Sequence, residues 1–352
     1  MLENRISFAQ LQQFITLAMT KLGLPESDAA TVGRMMAEAE LQGSDGHGVI
    51  RLLPYARRIR AGGLNLKPNI QIVQERPGMA LLDGDNGMGH LVMEKAAQLA
   101  IEKAQVCGIG WVGSRLSNHA GPASLYARMP MAHNMIGLYF AVGNANHLPP
   151  WGGLDMLLST NPIAVAVPAG EEPPVVLDMA TTVAAYGKVK AKAQKGEMMP
   201  EGWMIDRSGA PLLDPKRADE GFLMPIGGYK GYGLSLIVGL LAGTLNGAAM
   251  GKAVIDFNKD DVSTTNTGQA VMAIDLSAWG DVAAFKARVD TLVRELRASE
   301  KMPGVERIWL PGEQSHAKRE AHLRDGMALP VALLKQLDAF ALDMGMPTLQ
   351  TI

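Results

Sequence analysis

The stretch LVMEKAAQLAIEKAQVCGIGWVG, residues 91–113, decides the fold. Its first part reads as a helix that Gly108 stops, and IGWVG follows as a short strand. Within it, Gly108-Ile109-Gly110-Trp111-Val112-Gly113 matches G-x-G-x-x-G letter for letter. The dinucleotide fingerprint needs a strand before the glycines and a helix after them, so that a phosphate can sit on the helix N-terminus. Here the helix precedes and the strand follows. The polarity is reversed, so a standard Rossmann domain is not expected, and in a chain with 39 glycines such matches arise easily.

Outward from this point, strands and helices interleave, which argues for an α/β class. ALLDGDNGMG (80–89) reads as a strand and turn, and IGLYFAV (136–142), NPIAVAVP (161–168), PVVLD (174–178) and AVMAIDL (270–276) read as further strands. PVVLD feeds an expected helix, TTVAAYGKVKAKAQKG. VAAFKARVDTLVRELRAS reads as a helix, RIWLPG as a final strand, and LPVALLKQLDAFALDMG as an amphipathic closing helix. Upstream, Phe8, Leu11, Ile15, Ala18 and Leu22 recur at helical spacing until Gly23, and a second helix begins near Ser27. After the polar turn QGSDGHGVIRLLP, Pro54 fits the first position of a third helix, with Gly62 and Gly63 as its cap. The expected organisation is a helical region over 1–75, an α/β core over 76–325, and a helix over 326–352 that packs back on the first region.

Composition bounds the function. Of 352 residues, 47% are apolar and 19% charged, enough for a sizeable core and unlike a disordered chain. Lys plus Arg total 33 against 35 Asp plus Glu, so the basic footprint of a nucleic-acid binder is missing. The lone Cys107 excludes an internal disulfide framework and a thiolate metal cluster. MLENRISFAQLQQF has no continuous apolar run, so it is not a signal peptide, and the cytoplasm is the expected compartment. Gly231–Met250 approaches membrane-span length, yet its Gly, Ser, Thr and Asn content favours a buried core helix.

Seven histidines occur, none in H-E-x-x-H and none at ligand spacing with Cys or carboxylates, so no metal is expected. His47, in Ser44-Asp45-Gly46-His47-Gly48, and His119, in Ser117-Asn118-His119-Ala120-Gly121-Pro122, lie at glycine-flanked turns. Such histidines can face a cleft and exchange protons near neutrality; alternatively each caps a helix or donates to a carbonyl. Arg51, four residues after His47, offers a planar fork suited to a carboxylate, or is an ordinary exposed helix arginine. Asp178-Met179-Ala180-Thr181-Thr182 joins a strand to the expected helix, with Thr181 and Thr182 as caps or phosphate donors and Asp178 as an acceptor for a ribose or amide. Pro225-Ile226-Gly227-Gly228-Tyr229-Lys230-Gly231-Tyr232-Gly233 combines close-approach glycines with one cation; it is not a Walker loop, and a structural loop needing positive φ is the other reading.

These segments together resemble the malate/L-lactate/ureidoglycolate dehydrogenase family, the type-2 or sulfolactate-dehydrogenase-like family, to which diketogulonate and cyclic-imine carboxylate reductases also belong. The resemblance runs through DGHGVIRLLPY, SNHAGPASLYA, PPWGG, STNPIAVAVP, LDMATT, Gly202 to Asp206, PIGGYKGYGLSL and WLPGE. It implies a non-Rossmann mixed-sheet α/β fold and an oxidoreductase of 2-hydroxy and 2-oxo acids that uses NADH or NADPH and acts as a homodimer. It also places the proton-transferring histidine at His47 or at His119, the substrate carboxylate on Arg51, and cofactor contacts on Asn144, Asp178, Met179, Ala180, Lys230, Gly312 and Glu313. Gly46 stands where the family usually has Ser, Ser159 where it has Gly, and GNANHLPPWGG, with His147, replaces a more polar stretch. Reduction of a cyclic imine carboxylate is the alternative reaction, and a cofactor-binding protein without catalysis is the alternative of another class.

Overall fold

The computed structural model describes residues 5–349, so Met1–Asn4, the head of the segment read above for a leader, lie outside it. Seven strands form the central sheet: β1 (Gln71–Arg76), β2 (Met79–Asp83), β3 (Ile109–Ser117), β4 (Met135–Ala141), β5 (Ile163–Val167), β6 (Val175–Met179) and β7 (Thr267–Asp275). Their order is β1-β2-β3-β7-β4-β5-β6. Only β2 and β3 run parallel; every other pairing in this sheet is antiparallel. The chain is therefore an α/β protein with a mixed sheet, and not a doubly wound parallel one. Antiparallel pairing brings the ends of β3, β4 and β6 and the starts of β5 and β7 to one edge of the sheet.

Among the described residues, ten helices surround it: α1 (Phe8–Lys21), α2 (Glu26–Leu41), α3 (Leu52–Arg60), α4 (Gly89–Cys107), α5 (Ser124–Arg128), α6 (Tyr186–Lys195), α7 (Tyr229–Ala242), α8 (Val282–Ala298), α9 (Glu313–Asp325) and α10 (Val331–Asp343). The strands' alternation sorts their side chains onto two faces. Val112, Tyr139, Val271 and Ala273 pack with α4 and α5, whereas Trp111, Phe140 and Ala270 pack with Val238 and Ala242 of α7. A separate core joins α1–α3 to α10 through Leu11, Ile15, Met36, Leu52, Leu337 and Phe340. Arg5–Ile6 pairs with Met327–Ala328, which fastens the two ends of the chain together.

The fingerprint-like glycines have packing roles. Gly108 caps α4 in the left-handed conformation (φ 78°). A Cβ on Gly110 would stand 2.1 Å from the Ala100 carbonyl oxygen, and one on Gly113 would stand 2.0 Å from the Asn246 amide oxygen. Helix and strand approach that closely only through glycine.

Four expectations fail. The helix after PVVLD starts at Tyr186, not at Thr181; the residues between form a bridge, Thr182 with Pro225, that competes with helix. RIWLPG is not a strand. Its Pro311 has no N–H to donate, and it runs beside β6 through one bond, from Val176 N–H to the Pro311 carbonyl at 3.0 Å. Pro54 is the third helical residue of α3 rather than the first. The apolar segment read as a buried helix is α7 plus a short turn, and only one side of it is covered: Ile237 is 52% and Leu245 63% exposed. Among the described residues, no helix is long and apolar enough to cross a membrane.

Candidate active site

The turn between α2 and α3 is held from beneath. Glu40, 4% exposed in the last turn of α2, accepts the Val49 N–H at 2.8 Å. Burial is the main reason its carboxyl is raised to about 7. Arg51 curls over the same turn, its Nε donating to the Gly46 carbonyl at 2.7 Å. His47 projects between them, and Tyr55 follows on α3, fully buried.

His119 comes from the sheet. It follows β3, whose end is locked by buried hydrogen bonds. The Ser117 hydroxyl donates to Gln269 Oε1 at 2.7 Å, Gln269 Nε2 to the Asn118 carbonyl at 3.1 Å, and Thr265 Oγ1 to the Ser117 carbonyl at 2.9 Å. Asn118 Nδ2 donates to the Gly87 carbonyl at 2.9 Å. Such a network fixes the backbone before any ligand arrives.

The two histidines meet although 72 residues separate them. His47 Nδ1 and His119 Nε2 are 3.2 Å apart, with the rings 13° from parallel. On the far side, Tyr55 Oη lies 2.5 Å from His119 Nδ1. Phe257 closes the cluster against both Tyr55 and His119. His90, from the first turn of α4, sets its ring edge-on to Tyr55 and is fully buried, with neither ring nitrogen hydrogen-bonded. Burial, with the positive charge of Arg51 second, lowers His47 to about 4 and holds His119 well below the usual imidazole range. Burial raises the Tyr55 hydroxyl above its usual range. Near neutral pH, the pair carries no charge.

Asn144, just past β4, donates through Nδ2 to Thr267 Oγ1 at 3.5 Å. Thr267 donates to Thr265, whose single hydroxyl proton is shared between the Ser117 carbonyl and Asn118 Oδ1, so hydrogen bonds link Asn144 to the two residues before His119. Asp178, in β6, accepts the Ser124 N–H at 2.8 Å, at the start of α5. Its carboxylate keeps part of its surface exposed, yet desolvation by the surrounding chain raises it above the usual value. Met179 and Ala180 continue from it, half-buried. Thr181 is buried, with its hydroxyl engaged by the Thr160 carbonyl at 2.9 Å, so the expected anion site on a helix starting there does not form. Its carbonyl instead accepts the Ile226 N–H at 3.0 Å, which ties the glycine–lysine loop to this edge of the sheet. In that loop Gly227 and Gly228 both have positive φ. Lys230 is exposed in the first turn of α7 and makes no hydrogen bond or ion pair among the described residues.

Beside β6 lies a recess of about 450 Å³ lined by Leu177, Trp309, Leu310, Pro311, Gly312 and Gln314. Gly312 (φ 81°) caps the start of α9, and a Cβ there would stand 2.7 Å from the Val176 carbonyl oxygen. The Glu313 carboxylate is engaged in holding this turn: it accepts the Leu310 N–H at 3.1 Å and pairs with Arg307 and Arg297. A recess of this volume, walled by backbone that only glycine permits and placed at a helix N-terminus, fits part of a dinucleotide. Among the described residues no cluster suited to a metal ion occurs. The structure thus brings His47, His119 and Arg51 together and sets Asn144 and Asp178 at the same edge. Sequence reasoning missed Tyr55, which lies one helical turn beyond Arg51, and His90, which no local signal marks.

These features define a class of α/β oxidoreductase built around a mixed sheet. The sequence profile for malate/L-lactate dehydrogenase matches residues 6–338. A malate dehydrogenase of Pyrococcus abyssi is 40% identical, over 98% of this chain and 96% of the relative. The solved sulfolactate dehydrogenase of Methanocaldococcus jannaschii is 34% identical, with a TM-score of 0.90 over 98% of each chain. A Delta(1)-pyrroline-2-carboxylate reductase of Ancylobacter novellus is 29% identical over 95% of this chain and 97% of its own. The chain belongs to the malate/L-lactate dehydrogenase family and is an enzyme of the 2-hydroxyacid dehydrogenase type.

Proposed function

We propose that the protein interconverts a small 2-hydroxy acid and its 2-oxo acid, of malate or lactate type, with NADH or NADPH. The observation that carries this reading is the contact between His47 and His119 beside the Arg51 guanidinium. When bound, a nicotinamide dinucleotide supplies or receives the hydride at C2 of the acid. Asn144, Asp178, Met179, Ala180, Lys230, and the Gly312–Glu313 turn are the residues that would hold it.

The chain's own groups handle the acid and the proton. Arg51 takes the substrate carboxylate as a charge-assisted pair. That pairing offsets the positive charge that helps depress both imidazoles, so the histidines gain proton affinity when substrate enters. In reduction the pair gives a proton to the carbonyl oxygen as it becomes an alkoxide; in oxidation the neutral pair removes the hydroxyl proton. The apolar exposed side of α7 and of the short turn after it, around Ile237 and Leu245, is the surface on which a homodimer would form. Sedimentation of Ile237→Asp tests this: a dimer that persists unchanged rules that face out.

A second reading, reduction of a cyclic imine carboxylate, is favoured by the likeness to the pyrroline carboxylate reductase. The deciding experiment is a panel of 2-oxo acids and cyclic imine carboxylates, assayed with NADH and with NADPH and repeated on Arg51→Met. The proposal expects turnover of 2-oxo acids and a KM raised ~10- to 100-fold in the variant, as for a lost hydrogen bond to a charged group. Dinucleotide binding without turnover on the whole panel would identify a binding protein instead.

A further inference from the structure

We propose that the Tyr55 hydroxyl is a rotor that sets which nitrogen of His119 carries its proton, so that the catalytic proton leaves the histidine pair through His47. The inference rests on the dehydrogenase reading above, and assigns a direction and a positioning residue within it.

The direction follows from counting donors. The Gly121 N–H points at His119 Nδ1 from 3.4 Å, and an amide N–H can only donate. Nδ1 therefore presents a lone pair, to which the Tyr55 hydroxyl also donates. A neutral imidazole has a single N–H, so that of His119 is on Nε2 and donates to His47 Nδ1. His47 then carries its own proton on Nε2, the nitrogen turned away from His119. His119 is 7% exposed and His47 is the more open of the two, so His47 Nε2 is the terminus that a substrate oxygen can reach.

The hydroxyl matters once the pair gains a proton. Three N–H bonds must then be placed on four nitrogens: His47 Nε2, the shared position between the rings, and His119 Nδ1. A proton on Nδ1 needs an acceptor. The Gly121 amide cannot serve, but a hydroxyl can rotate and accept. When the substrate oxygen takes the proton from His47 Nε2, that N–H bond breaks and an O–H bond forms. The shared proton shifts onto His47 Nδ1 and His119 keeps the one on Nδ1, so the pair is left neutral in the reversed tautomer. Its bare His47 Nε2 takes a proton from solvent before the next reduction, and is the base that accepts the hydroxyl proton in oxidation. Tyr55 starts and ends as a neutral phenol, which suits a buried hydroxyl that resists ionisation.

The groups facing the pair are Arg51 from its own turn, Tyr55 from α3 and His90 from α4, with Phe257 apolar on the remaining side. Asp45 sits on the turn itself and Glu40 beneath it in the last turn of α2, and Tyr126, whose hydroxyl donates to the Ala120 carbonyl, lies behind the His119 loop. Among them, only Tyr55 reaches His119 Nδ1 with a group that can both donate and accept.

Tyr55→Phe keeps the ring between Phe257 and His90 and removes the rotor. It strands the Nδ1–H of the protonated pair without an acceptor, which weakens the pair's hold on the extra proton. Reduction should slow ~10- to 100-fold in kcat, and its alkaline limb should move down by about one pH unit, since a donor is lost above its pKa. KM for the acid should stay, because Arg51 is untouched. Independently of turnover, ring 15N spectra of the wild type at neutral pH should show the Nε2–H form at both His47 and His119. An active wild type whose His119 carries Nδ1–H, or a folded Tyr55→Phe with an unmoved rate and pH limb, overturns the proposal alone. A wild type inactive on the whole panel overturns the dehydrogenase reading, and the catalytic role of Tyr55 with it.

Discussion

The imidazole pocket and the recess at α9 are built on opposite physical terms. In the pocket, His119, Tyr55 and His90 are buried and His47 partly so, and desolvation keeps all of them neutral near pH 7. In the recess, volume is left open and none of the lining residues is charged; the Glu313 carboxylate next to it is already paired with Arg297 and Arg307. A proton is directed where the ring nitrogens that carry it have fixed hydrogen-bond partners. A large ligand needs open space and backbone that can be approached closely. Under the proposed function, the first need is met where the helical layer joins the sheet edge, and the second where an irregular segment runs beside β6.

The sharpest way to break this contrast is to remove an imidazole. His47→Ala and His119→Ala should each lower kcat ~100- to 10,000-fold while leaving dinucleotide affinity unchanged. Because the two act as a unit, the double variant should cost little more than the worse single one. Equal loss of dinucleotide binding in a calorimetric titration would show that the two regions are not separate.

Gly312→Ala should do the reverse. Its positive φ and the crowding at Val176 disturb the recess by about 1–3 kcal/mol, which should weaken dinucleotide binding ~5- to 150-fold with kcat at saturation kept. An unchanged Kd would remove that turn from the cofactor site.

The remaining effect is on stability. Glu40 has a folded pKa of about 7 against 4.5, so the native state binds more protons between those values, and stability falls as pH rises through them. His47 has a folded pKa of about 4 against 6.5, so the unfolded state binds more protons there, and stability is lost as pH falls from 6.5 towards 4. Glu40→Gln keeps the acceptor for Val49 and should abolish the loss on raising pH through that window, on the order of 3 kcal/mol, without touching the one on lowering it. Thermal melts from pH 4.5 to 7 check this; parallel wild-type and variant curves would disprove it.

Much of this was legible. The reversed polarity around Gly108 excluded the Rossmann arrangement, and the structure bears it out, since α4 precedes those glycines and β3 follows. His47 and His119 stood out because glycines flank each turn. Their partnership was not legible, since a contact across 72 residues depends on how the helical layer docks on the sheet. α9 escaped notice for another reason. EQSHAKREAHLRD has no apolar stripe, and the helix is fastened by Arg319 to Glu38 and by His322 to the carbonyls of Glu40 and Leu41. Polar fastening leaves no hydropathy period to read. α7 misled in the opposite sense, because an all-apolar helix looks buried whether its outer side meets the core or open solvent.

By itself, then, the sequence determined which segments are helices and strands wherever hydropathy period and glycine punctuation agreed, and which residue types could move a proton or hold a carboxylate. Only the tertiary structure decided that two distant imidazoles share a hydrogen bond, that Tyr55 stands behind them, and that Thr181 is turned inward. Local order follows from neighbours along the chain, whereas tautomer, charge state and access follow from what packs against a side chain from elsewhere.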